Sequence, residues 1–380
     1  LAGGGRLLVV DTSNRRIRQV DVSSGEVTTI AGSGAVGFAD GGSDVATFST
    51  PSGIACTRDS MLVLVTDVQQ HGVRQFLPRA LYPFPPSLPP VPKHPPAASP
   101  PPTPPSAVVS MLAGSSAGGA DGTGTSAQFY TPHDVALSPS GTFALVADFT
   151  YDTIRHVDID TAVVTTLVGK LGLAGTTDGV GSNARFSGPH GVCLADVGRV
   201  AFVVDHASGR LRRIDVASAA VTTIAGSTST TPRDGVGDYV RFHEPISVAA
   251  TADGSMVFVS DYSGQAVRKV VVSTRTVTTL AGSGTAGGAD GVGVLAQFYH
   301  PWGVATTLDG ATVYVAEEMG ERIRTIDVSS GTVTTLAGTY NAAAFADGVG
   351  THARFNAPRQ IALAGGGRLL VVDTSNRRIR

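Results

Sequence analysis

The chain has 380 residues, a formal net charge of −2 and only 15% charged residues. That balance argues against a strongly basic nucleic-acid binder and against an acidic, solvating tail. No run of 18 apolar residues is present, which excludes a membrane-spanning helix. Two cysteines, Cys56 and Cys193, exclude a disulfide scaffold and a multi-cysteine zinc site.

The chain opens at Leu1 inside an apolar run and without Met, as expected of a piece of a longer or processed polypeptide. Residues 1–32 read as the second, third and fourth strands of a unit whose first strand is missing. They close on the tag V-T-T-I-A-G (Val27–Gly32), which recurs in full or degenerate form from Val109, Val164, Val221, Val277 and Val333. The unit is about 56 residues, a period that indicates a repeat architecture. After each tag comes a Gly-rich linker holding Asp40, Asp121, Asp178, Asp234, Asp290 or Asp347. Followed by Gly at each position, these acids are expected to cap the linker turn. A Phe follows eight residues later (Phe48, Phe129, Phe186, Phe242, Phe298, Phe355), then a Pro (Pro51, Pro132, Pro189, Pro245, Pro301, Pro358). Next stand two short apolar runs ending in an acid (Asp11, Asp67, Asp148, Asp205, Asp261, Glu317 and, as a seventh, Asp373), and seven residues beyond it an Arg (Arg18, Arg74, Arg155, Arg212, Arg268, Arg324, Arg380). The runs are Val-, Ile- and Thr-rich and bounded by turn residues, and none carries a sustained helical period. Four short strands per unit, repeated radially, predict an all-β, six-bladed β-propeller of four-stranded antiparallel blades over residues 1–363.

Within the first complete unit, residues 78–107 form an insert rich in proline, with 14 of the 22 prolines in 78–106. Such a run favours polyproline II and cannot join a ladder. It replaces a short hairpin and is expected at the rim. Ser99, Pro100, Pro101, Pro102, Thr103, Pro104, Pro105 and Ser106 are the O-glycosylation candidates, because this run resembles hydroxyproline-rich extracellular glycoproteins; no Asn-x-Ser/Thr sequon is present.

The flanking marks repeat, yet the residue after the recurring Pro does not. It is Ser52, His133, His190, Ile246, Trp302 and Arg359 in turn. In a propeller these positions should line the mouth of the central channel. At the C-terminal end, Leu363–Arg380 repeats Leu1–Arg18 without a difference, at an offset of 362. Residues 364–380 therefore read as the start of a next propeller or as a contact between subunits.

The Pro-x-Gly-Val-Ala start (Pro301–Ala305), the strand ending in Asp (Val9–Asp11, Val146–Asp148), the Ile-Arg-x-Ile-Asp strand (Ile323–Asp327) and the linker A-D-G-x-G-x-x-A-x-F (Ala289–Phe298) resemble the NHL-repeat family of β-propellers. The resemblance covers the chain outside the insert. It implies the propeller fold; for function the family spans enzymes, RNA binders and structural propellers. Amidating lyases with this kind of propeller hold a metal on channel histidines. Here His133 and His190 are the weak metal candidates, with His206 and His300 at other positions, against the three protein ligands a catalytic zinc usually has. No cofactor is expected.

The leading functional expectation is a structural, extracellular or cell-surface protein: a window of a tandem propeller array that assembles with copies of itself into a filament, carries glycans on the insert, and binds neither nucleic acid nor membrane. The alternatives are a ligand- or protein-binding module of a larger receptor, and a metal-dependent lyase- or lactonase-like enzyme using the channel.

Overall fold

Short β-branched runs between Gly, Asp and Ser turns form strands wherever the repeat places them. The computed structural model describes residues 6–11, 16–21, 27–31, 33, 35–37, 39–42, 45–57, 62–76, 108–229, 231–344, 346, 350–364, 368–373 and 378–379. The insert at 78–107, its glycosylation candidates and Asp347 lie outside these residues. The fold is an all-β propeller. In blade two, Pro132–Leu137 is innermost, followed outward by Phe143–Asp148, Thr153–Asp158 and Val163–Gly169. Blades one, three, four and five repeat this meander from inner strands Pro51–Cys56, Pro189–Ala195, Pro245–Ala250 and Pro301–Thr306.

Two features correct the expectation of six four-stranded blades. First, each complete blade has five strands. Two linker residues, such as Gly122–Thr123, pair antiparallel with the outermost strand (Val163 with Thr123, Val164 with Gly122) before the chain turns inward. The recurring acid-arginine bond described below pins the linker there. Second, five such blades are complete among the described residues. The ends form two separate three-stranded sheets: Arg6–Asp11, Arg16–Asp21 and Val27–Ala31, and Pro358–Ala364, Arg368–Asp373 and Arg378–Ile379. The duplicated run offers two identical partners to strand Pro358–Ala364. Pairing with the adjacent copy, Arg368–Asp373, closes a far shorter loop than pairing with Arg6–Asp11, so entropy favours the local hairpin. The displaced Arg6–Asp11 packs beside Arg368–Asp373. Pro358–Ala364 still lies between inner strands Pro301–Thr306 and Pro51–Cys56, so inner strands surround the channel.

The core sits between blades. One apolar cluster joins blades two and three (Leu145, Ile154, Phe186, Val192, Val203), and another joins three and four (Phe202, Val204, Phe242, Val248, Val259). Second strands are covered on both sides, so Val200–Asp205 is buried along its whole length.

In every complete blade an Arg is sealed beneath the linker. The Arg212 side chain is 0% exposed. Its guanidinium donates to Asp178 at 2.9 Å, Asp205 at 3.4 Å and the carbonyl oxygens of Arg185 and Thr177 at 2.7 and 3.1 Å. It lies 4.9 Å from the centre of the Phe186 ring. Arg74, Arg155, Arg268 and Arg324 repeat the bond to Asp40, Asp121, Asp234 and Asp290 at 2.6 to 2.7 Å. In blades three to five the linker Asp also accepts the N–H of Thr223, Thr279 or Thr335 on the outermost strand. The recurring acid thus ties the linker to its own blade as well as standing at a turn. The outer strand bulges opposite this Arg, leaving Leu167, Ile224, Leu280 or Leu336 without a ladder partner.

Candidate functional site

Every inner strand starts with Pro, whose missing N–H suits a strand's first residue. The ladder then slips: Pro132 faces Asp148 and Asp134 faces Ala147, leaving His133 outside the register. The same slip follows Pro51, Pro189, Pro245, Pro301 and Pro358. A bulge frees the residue after Pro from the ladder. Ser52, His133, His190, Ile246, Trp302 and Arg359 all line one cavity of about 140 Å³ at the channel mouth.

The mouth is a packed aromatic and charged cluster. The His133 and His190 rings lie 4.4 Å apart, with Phe149 4.7 Å from His133 and Trp302 5.7 Å from His190. The guanidinium of Arg359 sits 4.4 Å from the Trp302 ring centre and is held by Glu318 at 2.6 Å. The hydroxyl of Tyr262 donates to the other oxygen of Glu318 at 2.7 Å. Nδ1 of His190 lies 3.1 Å from the Ile246 carbonyl oxygen, and Nδ1 of His206 lies 3.1 Å from that of Pro245. Burial first, then the neighbouring His206 and Arg359 charges, push His133 down to about 4. His190 is also driven well below the usual imidazole value, chiefly by burial. Burial thus disfavours the charged form of both rings. His300 stands apart, stacked on Tyr262 at 4.2 Å. Among the described residues no three His, Cys, Asp or Glu side chains converge as a metal site. Cys56 and Cys193 lie on inner strands separated by that of blade two.

One residue deeper the ring reads Gly53, Asp134, Gly191, Ser247, Gly303, Gln360, alternating glycine with a polar side chain. Each glycine clears space for its neighbour: a Cβ on Gly53 would stand 2.8 Å from the Asp134 Cα, and one on Gly191 2.9 Å from the Ser247 Cα. Asp134 accepts N–H groups from Val135 and Val192 at 2.9 and 3.1 Å, and Gln360 Nε2 at 3.0 Å. Burial outweighs these donors and raises the Asp134 carboxyl to about 7. Its ordinary value is 3.8. The folded state therefore holds the proton more tightly than the unfolded one. The resulting stabilisation is full below the unfolded value and is lost as pH rises through the folded value. Asp134→Asn is expected to flatten the fall in stability between about pH 4 and pH 7, read as urea midpoints across that range. An unchanged slope would show that Asp134 does not titrate there.

A second variable column follows the recurring acids: Val68, Phe149, His206, Tyr262 and Glu318. Val68 lines the cavity and the other four touch the mouth cluster. The same register comparison that exposes the residue after Pro would have found them.

No protein-family model matches the chain. Protein SUPPRESSOR OF QUENCHING 1, chloroplastic, of Arabidopsis thaliana is 26% identical over 341 residues, covering 86% of this chain and 29% of that protein. NHL repeat-containing protein 2 of Bos taurus is 27% identical over 300 residues, covering 71% of this chain and 41% of that protein. The chain thus spans less than half the length of either relative. Among solved structures, an auxiliary nutrient binding protein from Bacteroides thetaiotaomicron VPI-5482 superposes with a TM-score of 0.63 at 13% identity, covering 99% of this chain and 90% of that one. Fold and sequence relatives together support an NHL-type β-propeller.

Proposed function

We propose that the chain is a non-catalytic propeller scaffold that works in series with copies of itself, as one unit of a tandem array in an extracellular filament or surface appendage. The observation that carries this reading is the 18-residue duplication at an offset of 362, one full sequence turn of the repeat. Identical units joined head to tail give a rod or helix when the operator does not close. The mouth supports a packing role. A ligand pocket usually measures about 300–1,000 Å³. The cavity here is about 140 Å³ and its arginine is already engaged by Glu318. O-linked sugar on residues 99–106 belongs to the same proposal and rests on composition.

The test is the denatured mass of the native polypeptide before and after chemical deglycosylation. A mass several times the 38.7 kDa of this chain, falling on deglycosylation, is expected. A native polypeptide containing a single copy of the 362-residue unit would overturn the array.

A further inference from the structure

The ring contacts of the mouth do not stop at the channel. From His190 they run through Trp302 (5.7 Å), Tyr262 (5.4 Å), His300 (4.2 Å), Tyr299 (5.1 Å) and Tyr340 (6.5 Å). This is an unbroken aromatic stripe from the channel over blades four and five to the linker beyond the last complete blade. Only 6% of the chain is aromatic, and the stripe holds its one Trp and three of its eight Tyr. Tyr340 is exposed, and Trp302, Tyr262 and Tyr299 are partly so. Glu244, exposed, and Glu318 flank His300 closely enough to act on its charge.

We propose that this stripe docks the proline-rich segment Pro83–Pro96 of a second copy of the chain. The segment reads PFPPSLPPVPKHPP, and Pro89-Pro-Val-Pro92 has the P-x-x-P spacing followed directly by Lys93. Aromatic grooves recognise such segments because the polyproline II helix is already formed and proline rings stack on flat aromatic faces. The charges fit at the centre of the stripe: residues 77–107 contain Arg79 and Lys93 and no acid, and exposed Glu244 stands beside His300, between the Arg359–Trp302 and Arg322–Tyr340 stacks. The place of the insert selects a second copy. It joins Phe76 to Val108, and Phe76 pairs with Val63 and Val109 at the strand ends away from the mouth, where Pro51, Asp67 and Gly72 meet. Phe76 and Val108, the residues that flank it, therefore stand toward one face of the disc while the stripe lies on the other. Propellers stacked face to back bring the two together. This goes beyond the array: a single-unit native polypeptide would remove the array and leave this contact standing.

The experiment titrates a synthetic peptide of residues 83–96 into the unmodified 380-residue chain and follows the emission of Trp302. Saturable change is expected, together with at least tenfold weaker binding when Lys93 in the peptide becomes Glu. Tyr299→Ala with Tyr340→Ala in the chain should weaken it equally. Tyr340→Ala alone, at an exposed position, keeps the test open if the double variant does not fold. Sedimentation of the full chain should show concentration-dependent self-association that excess peptide abolishes. No response at millimolar peptide, or binding indifferent to these substitutions, would overturn the proposal. So would a chain that binds the peptide yet stays monomeric, or a stripe that takes a neutral oligosaccharide in place of the peptide.

Discussion

Arg212→Ala is expected to lower the unfolding free energy by about 3–5 kcal/mol, the cost of leaving one buried partner of an ion pair alone. The substitution leaves Asp205, which is sealed from solvent, with the Ser208 hydroxyl and the Ser187 N–H but no counter-charge from Arg212, and frees Asp178 at the linker. It also uncovers Phe186 and withdraws donors from the carbonyl oxygens of Arg185 and Thr177. Burial already holds Asp205 at about 6, above its ordinary 3.8. Without the guanidinium that value rises further. The folded variant then keeps a proton that the unfolded chain releases, so the defect should be larger near pH 8 than near pH 5. Arg212→Lys should recover little, because an ammonium cannot span acceptors on both sides of a planar fork. Urea unfolding of the three proteins at the two pH values decides it. A loss below about 1 kcal/mol would mean that the clasp adds geometry and no net stability.

Gly303→Val should cost about 3 kcal/mol, the upper end of the overpacking range. A Cβ at Gly303 would stand 2.9 Å from the Ile361 backbone nitrogen and 3.0 Å from the Gln360 Cα. These are backbone atoms of the next inner strand, with no rotamer to yield. At the same register Ser247 does carry a side chain: it reaches toward blade five, where its hydroxyl accepts the Val304 N–H at 3.3 Å and the residue at its own register is Gly303. The alternation of glycine and polar residue is thus a packing code for the channel neck. Denaturant midpoints of Gly303→Val against Gly303→Ala would measure it; equal stability of Val and wild type would show that the inner strands separate at little cost.

The strands, their order and the propeller were legible because one pattern recurs around the ring. Noise at any one copy, such as the degenerate tag at Val109–Gly114, is corrected by the others. The residues after Pro could be placed because symmetry made their variation visible. The fifth strand was not legible: Gly122–Thr123 is two residues long, too short for an alternating pattern and weakened by its Gly, and is held by the Asp121–Arg155 bond and its pairing with Val163 and Val164. The recurring acids and arginines were visible in sequence, but not which of the two acids each arginine would take. It takes both, across 34 and 7 residues in blade three. The blade count went astray at the ends, where two identical runs compete for one partner and pattern alone cannot rank them.

The bond from Gln360 to Asp134 joins residues 226 apart in sequence and reaches past the bare Gly53. Every clasp within a blade closes over a much shorter stretch. As the chain leaves the ribosome, blade two can therefore assemble and wait, while its Asp134 stays without this donor until the 226 residues that separate it from Gln360 have emerged. The neck of this channel is completed only after its blades, and Gln360 is the residue that marks completion.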